Sequence, residues 1–484
     1  MTHYNSLINY FLFLLSIIIC LLLCYYISFE YNKLILKSLI LITIFLIYFI
    51  LSLVIKKDAV LNLTIFLSFF NISIATYFTN STNIIILLLI FSLLIKSIIS
   101  VNHKIYLILI RRNPITKYLF FLVFIYTISL FFAKKDFGYH IMFYHGIISS
   151  IIVTFFIISV VNSIKQIKSI NKIFLFILIL NISYSIIYIF YPQIDFYKSE
   201  FFSLEPSIAT SDATRLQGLT FRGEAYGEYL MACSIYLVNY LIYHKHKSFS
   251  FLLLLTIVTI ATLIGTQLRG ANLAFIIVFF LILTINKDIA KINKLFFLFF
   301  LIAFYSIIAF SYKLVLPNNS LISRTLILTD NNVYYEGIPK TRYYTWIPAL
   351  RFAKANNFLG VGPSLKPYIK AEEFTNVKKD GATGKIIVWP HNVILLILCT
   401  VGFYGLIAYI ILFIRVMLLK KVINTLNSEN KPIFEGYFFS LIALLIEFQK
   451  YDGILRTPDS SLYLAFPLVG LLFSLYNFNT FQNK

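Results

Sequence analysis

The sequence predicts an all-α integral membrane protein, a polytopic helical bundle of about 12 to 14 transmembrane helices with one large, partly helical outer loop. Three observations predict it. Of the 484 residues, 60% are hydrophobic and only 13% charged, and the mean hydropathy is +0.85, so a soluble globule of this chain would lack the polar surface to cover itself. Apolar runs of roughly 16 to 24 residues recur from one end to the other, the length an α-helix needs to cross about 30 Å of hydrocarbon. The runs do not alternate over about ten residues, as barrel strands would.

Taken in order, the spans fall at about 9–28, 38–55, 59–79, 84–101, 118–133, 146–161, 173–191, 225–243, 249–267, 271–286, 295–312, 391–414, 436–449 and 461–478. The first, Asn9 to Ser28, is too long for a signal-peptide core, lacks a basic flank and is followed by no small-residue cleavage site, so it reads as a retained span. Four units follow from this layout: N-terminal spans (1–190), spans joined by arginine-bearing outer loops (191–312), the large outer loop (313–390) and C-terminal spans (391–484). Cys20, Cys24, Cys233 and Cys399 all fall inside apolar runs without paired spacing, which supports neither a disulfide framework nor a zinc site. No metal and no cofactor is expected.

A net charge of +21 raises nucleic acid as a partner, but Lys and Arg in a polytopic chain first of all mark cytoplasmic loops. One alternating set of connections, with Lys484, holds 19 basic residues against 10 in the short loops of the other set. The richer set, including Lys165, Lys168, Arg415, Lys420, Lys421 and Lys431, is assigned to the cytoplasm. The charge is thereby a topology signal, and no nucleic-acid partner is expected. Membrane lipids are.

The same assignment sends every polar, irregular stretch of the second half to the outer side: 192–224, the tight turn at Arg269-Gly270, 313–390 and 450–460. A connection of about eighty residues is far longer than linkage requires. Its aromatics, among them Tyr343, Tyr344, Trp346, Phe352 and Trp389, favour an ordered subdomain. Within it, Thr345 is expected to cap a short helix with Pro348 in its first turn, ending near Asn356-Asn357 before a Gly360/Gly362/Pro363 turn. The segment carries 11 basic and 5 acidic residues, an excess that fits an anionic partner such as a phosphate or a lipid head group.

Arginine at a membrane boundary is costly unless it snorkels or meets an anion. Arg215 and Arg222 stand before a span in TRLQGLTFRGEAYGEYL, and Arg269 sits in GTQLRGANLAF with almost no loop around it. Guanidinium suits a diphosphate, because its planar fork donates two parallel hydrogen bonds and keeps its charge. His391, between Pro390 and the apolar run, is either a plain interfacial histidine or a general base with its pKa near neutrality, and Asn392 can cap the helix that follows. Inside the spans only Glu228 and Glu447 are carboxylates, too few for a proton relay, so a lipid-linked glycan transporter or flippase is the weaker reading. Lys134, Lys135 and His140 read as an outer loop, either solvated or touching a donor.

Over roughly the last 270 residues these elements resemble the bacterial O-antigen polymerase and O-antigen ligase superfamily. RLQGLTFRGEAYGEYL is similar to its Arg-Leu-x-Gly element, LRGANLAF to its Ser-Arg-Gly turn, RYYTWIPALRFAKANNFLGVGPS to its Arg…Trp…Gly-x-Gly loop element, and HNVILLILCTVGFYGLI to its His-Asn…Gly-x-x-Gly span. The sequence departs at Gly223-Glu224, where Pro-Asn is usual, and at Leu268, where Ser is common.

The resemblance implies a metal-independent, multi-pass inner-membrane glycosyltransferase acting on the outer face. Its donor is an undecaprenyl-diphosphate-linked glycan, and its acceptor is either another glycan, in a polymerase, or lipid A-core, in a ligase. A protein O-oligosaccharyltransferase is a related alternative, and a chain-length regulator protein a further partner. His391, Arg269 and Arg215 take the family's essential positions; Arg222, Glu224, Asn392, Arg342, Trp346 and Arg351 are candidate substrate contacts. The departures at Gly223-Glu224 favour a polymerase.

Overall fold

A computed structural model describes residues 58, 61–62, 64–66, 113–133, 137–191, 216, 218, 223–243, 249–266, 268–285, 295, 298–299, 302–303, 306, 334–335, 338–371, 374, 390, 392–427, 429–448 and 461–482. They are almost entirely helical. The helices are α1 (Thr116–Phe131), α2 (Phe137–Val160), α3 (Ile164–Phe190), α4 (Gly223–Tyr243), α5 (Phe249–Gly265) and α6 (Arg269–Ile285), then α7 (Lys340–Ala355) and the short α8 (Lys366–Ile369), then α9 (Val393–Thr400), α10 (Phe403–Ile423), α11 (Lys431–Phe448), α12 (Ser461–Phe473) and α13 (Leu475–Gln482). Before α7 lies a two-stranded antiparallel ribbon, β1 (Tyr334–Tyr335) with β2 (Ile338–Pro339). The spans expected before residue 113 and at 295–312 fall wholly or mostly outside the described residues.

Polarity is distributed inside out. Phe120, Phe124, Phe131, Ile189 and Phe190 are exposed on α1 and α3, whereas Asn171, Asn181, Ser185, Glu228, Asn239 and Glu447 are buried. Water would penalise such a surface; hydrocarbon penalises only unsatisfied polar groups, which the bundle interior can pair. α2 and α3, at 24 and 27 residues, are long and apolar enough to cross a membrane.

α4 is the central helix, buried all round from Tyr226 to Val238. Its main partner is α11, and small residues let the two backbones approach, as membrane helices require. Gly436 lies under the Tyr236 ring, where a Cβ would come within 2.6 Å of the ring. Ser440 donates to the Ala232 carbonyl at 2.6 Å and the Asn239 amide to that of Pro432 at 3.0 Å. Tyr236 stacks on Tyr437 with centroids 5.2 Å apart, and Phe174 of α3 meets Tyr236 edge-on at 5.5 Å. α12 packs on α2, Gly470 against Ile157. Thr154 donates to the Phe466 carbonyl at 3.0 Å, and Asn477 closes the end of α2 by donating to Ile158 at 2.6 Å.

Two ends of the bundle differ in chemistry. At one, Lys168 pairs with Glu429, whose carboxyl is held below its usual range by that ammonium. At the same end Lys420 pairs with the fully buried Glu435, which also accepts from Tyr243 at 2.7 Å. Among the described residues Glu435 is buried as Glu228 and Glu447 are, and it lies in the first turns of α11, just before the apolar run that the sequence marks. The opposite end carries the starts of α2, α4, α6 and α9 and the close of α11.

The expected span 391–414 is not one helix. It breaks after Thr400, and Gly402 takes φ 82°, ψ −166° before α10 begins. The expected cap at Thr345 is likewise displaced. α7 already starts at Lys340, so Thr345 is buried mid-helix and Pro348 lies inside. The ribbon of β1 and β2 leads the chain directly into α7. The end of α7 falls as expected, at Ala355, with Asn357 and Phe358 both in the left-handed region (φ 54° and 56°).

Candidate functional site

The loop helix α7 and the turn after it are joined to the α9–α10 break by backbone. Val361 and Gly362 donate to the Thr400 carbonyl at 2.9 and 3.1 Å, and Phe403 donates to the Phe358 carbonyl at 2.7 Å. These bonds satisfy groups that the break leaves without helical partners. The approach demands bare backbone on both sides: a Cβ at Gly360 would lie 2.7 Å from Gly402 N and overlap the Thr400 carbonyl, and one at Gly402 would lie 2.6 Å from the Leu359 carbonyl. Cys399 adds a bond to the Ala349 carbonyl at 3.3 Å. Phe352, inside this junction, meets Tyr368 and Phe374 edge-on at 5.2 and 5.5 Å. Burial pushes the Tyr368 hydroxyl well above its usual pKa. The loop element and the His-Asn…Gly-x-x-Gly element, separate in sequence, are therefore one packed unit.

At the start of α9, Asn392 is the cap. Its Oδ1 accepts from Ile394 N at 3.0 Å and Leu395 N at 3.1 Å, with the residue itself extended at φ −155°. Pro390 on the other side of His391 is buried. His391, Arg215 and Arg222 lie outside the described residues.

A second set of backbone contacts gathers the arginine-bearing turns. Leu216, next to Arg215, donates its N–H to the Gly265 carbonyl at 3.2 Å. Gly265 ends α5, and Arg269 opens α6. Gly227 of α4 packs against Leu268; a Cβ there would come within 2.8 Å of the leucine side chain. At Gly270 a Cβ would overlap the carboxylate of Glu447, with Cδ 2.5 Å away. Thus the end of α11 places a buried carboxylate against the first turn of α6, where a helix N-terminus favours negative charge. Gly218 packs against Tyr226 and the Asn181 carboxamide, and Tyr226 in turn bonds Ser185 at 2.7 Å.

The remaining candidates divide. Glu224 is the second residue of α4 and Arg342 the third of α7. Trp346 is half-buried, and among the described residues its indole Nε1 is buried without a hydrogen-bond partner. Arg351 is exposed, on the side of α7 away from buried Ala349 and Phe352. Between α9, α10 and α11 lies a small apolar cavity of about 50 Å³ lined by Ile397, Gly405, Tyr409, Leu441, Leu445 and residues of α1, α2 and α12.

His140 departs from its expectation. It is not in a loop but in the first turn of α2, 0% exposed. The signal that could have found it is the one His391 carries, a histidine at the head of a long apolar run.

Residues 251–410 match the family model described as O-antigen ligase. That span contains Arg269, the outer loop with α7, and His391. No curated protein matches the chain.

Proposed function

From the match of residues 251–410 to the family model described as O-antigen ligase, we propose that this protein is a member of the O-antigen polymerase and ligase superfamily and polymerises surface-polysaccharide repeat units on the outer face of the inner membrane. A glycan carried on undecaprenyl diphosphate is transferred to an acceptor sugar hydroxyl. The observation that supports this most is the docking of the turn after α7 onto the α9–α10 break, which joins the loop helix to α9, the helix whose start Asn392 caps.

In this reading His391 takes the proton of, or orients, the acceptor hydroxyl as that oxygen attacks the anomeric carbon. The new glycosidic C–O bond forms as the bond to the diphosphate oxygen breaks, and attack from the opposite face inverts the centre. Arg215 and Arg269 hold the departing diphosphate, which leaves as a stable anion and needs cationic stabilisation rather than an acid. Glu447, against Gly270, holds the start of α6. Trp346 offers an aromatic face and an N–H donor to a sugar. Arg351, being exposed, is free to meet an anionic group of the substrate.

The experiment is a deletion strain complemented with variants. Loss of the protein yields core capped with a single repeat if it is a polymerase, and bare core with accumulated lipid-linked polymer if it is a ligase. If instead surface polysaccharide is intact and glycoproteins are bare, the acceptor is protein. His391→Ala and Arg269→Ala, each at normal protein level, should fail to restore long chains; restoration by both overturns the mechanism. Purified protein that joins no glycan, with donor accumulating on the cytoplasmic face of the deletion strain, indicates a flippase.

A further inference from the structure

The N-terminal half lies wholly outside the matched span, yet it grips the loop at one point. His140 Nδ1 accepts the backbone N–H of Ser364 at 3.1 Å. The ring fills the space in front of Gly362, where a Cβ would overlap Nδ1 and lie 2.6 Å from Cε1, and where Ala133 closes the other side at 3.0 Å. Next to it, Lys366 stands over the Tyr139 ring at 4.9 Å. Each glycine of the Gly-x-Gly turn thus has a separate receiver: Gly360 meets Thr400 and Gly402, and Gly362 (φ 110°) meets His140.

We propose that His140 is a positioning residue that latches the Gly360–Ser364 turn onto α2 and so holds the junction of that turn with the end of α9. The geometry requires the neutral ring with Nδ1 unprotonated, because only then is a lone pair directed at the Ser364 N–H. Ser364 itself is 1% exposed, so its N–H has no access to water once the acceptor is removed. The latch places α2 in the same mechanical unit as the loop, which makes the N-terminal half a participant in catalysis through structure. The consequence for activity rests on the glycosyltransferase reading above; the latch itself does not.

The test uses the full chain in its membrane with Ser364→Cys as a reporter, read with a membrane-impermeant maleimide against the background of Cys20, Cys24, Cys233 and Cys399. With His140 present the reporter is protected. His140→Phe keeps the ring volume but removes the acceptor, and the unpaired buried N–H should raise the released fraction about 5- to 150-fold, with labelling rising accordingly. His140→Asn, whose Oδ1 can reach the Nδ1 position, should restore protection. Polymer formation by the same histidine variants with Ser364 retained should follow the labelling, lost in the Phe variant and rescued in Asn. Equal labelling of the His140, Phe and Asn forms at matched protein levels overturns the latch, whatever happens to activity. Labelling that behaves as expected while His391→Ala retains full activity leaves the latch standing and overturns the functional reading instead.

Discussion

Phe403 donates its backbone N–H to the carbonyl of Phe358 at 2.7 Å and so ties the turn after α7 to the start of α10. A side chain on either flanking glycine must break this approach. Gly402→Ala combines overlap with the Phe358–Leu359 carbonyls with a φ of 82° that alanine adopts poorly. The expected destabilisation is about 2 to 4 kcal/mol, seen as a lower thermal midpoint of the detergent-solubilised protein, and Gly138→Ala, where a Cβ meets nothing, is the reference for a helical glycine. Unchanged midpoints for Gly402→Ala would remove the junction from the energetics of the fold.

Asn392→Ala deletes an acceptor that serves two orphan amides of α9. About 1 kcal/mol of stability should go with it. Asn392→Asp and Asn392→Ser keep the cap and should hold the wild-type midpoint within about 0.5 kcal/mol. If activity falls in the Asp and Ser variants although the midpoint does not, Asn392 also touches substrate.

Arg269→Lys separates charge from geometry. A charge-assisted contact to diphosphate is worth about 1.5 to 3 kcal/mol, so loss of the bidentate fork should reduce turnover by about ten- to a hundredfold. Chain assembly in membranes from the complemented deletion strain measures it, and wild-type turnover in the lysine variant would reduce Arg269 to a snorkelling cation.

Gly270→Ala should drive its methyl into the Glu447 carboxylate. Glu447→Asp withdraws that carboxylate by one methylene. The two changes touch, so they should be coupled by about 1 kcal/mol or more: the double variant is expected to be more stable than the sum of the singles implies. Strict additivity would contradict the packing.

At the opposite end, Lys420→Met leaves Glu435 buried with Tyr243 as its remaining described partner. Removing one member of a buried pair costs about 3 to 5 kcal/mol. Adding Glu435→Gln should recover most of that loss, because the uncompensated charge goes as well. Thermal melts of the two variants decide it, and a double variant no better than the single would show that the pair is not the source.

Much of the frame was legible because membrane burial leaves a one-dimensional trace: long apolar runs, basic connections at one end, and an asparagine placed to cap α9. The end of α7 was legible too, since Asn356-Asn357 and the glycines that follow mark a helix stop. The break at Gly402 was not. It sits within an uninterrupted apolar run, and the groups that satisfy it, Val361 N, Gly362 N and the Phe358 carbonyl, come from about forty residues upstream. His140 stayed hidden for a similar reason. Its neighbours Lys134, Lys135 and Tyr139 read as a wet loop, while its partner Ser364 lies 224 positions away. Arg215 and Arg269 were legible as residue types at boundaries, but the bond by which Leu216 meets Gly265 is a pairing that no local pattern encodes.

The eight residues of α9 rise about 12 Å, well short of a bilayer's hydrocarbon thickness of about 30 Å. The turn that meets its far end, Gly360 to Gly362, is seated against the backbone of Thr400 and Gly402, a peg in the bundle rather than a cover resting on it. For anyone building chimeras between related chains, residues 313–390 are then the wrong piece to exchange. A graft that keeps its own Thr400–Gly402 socket and its own His140 carries the fit with it; a graft of the loop alone inherits a socket cut for another peg.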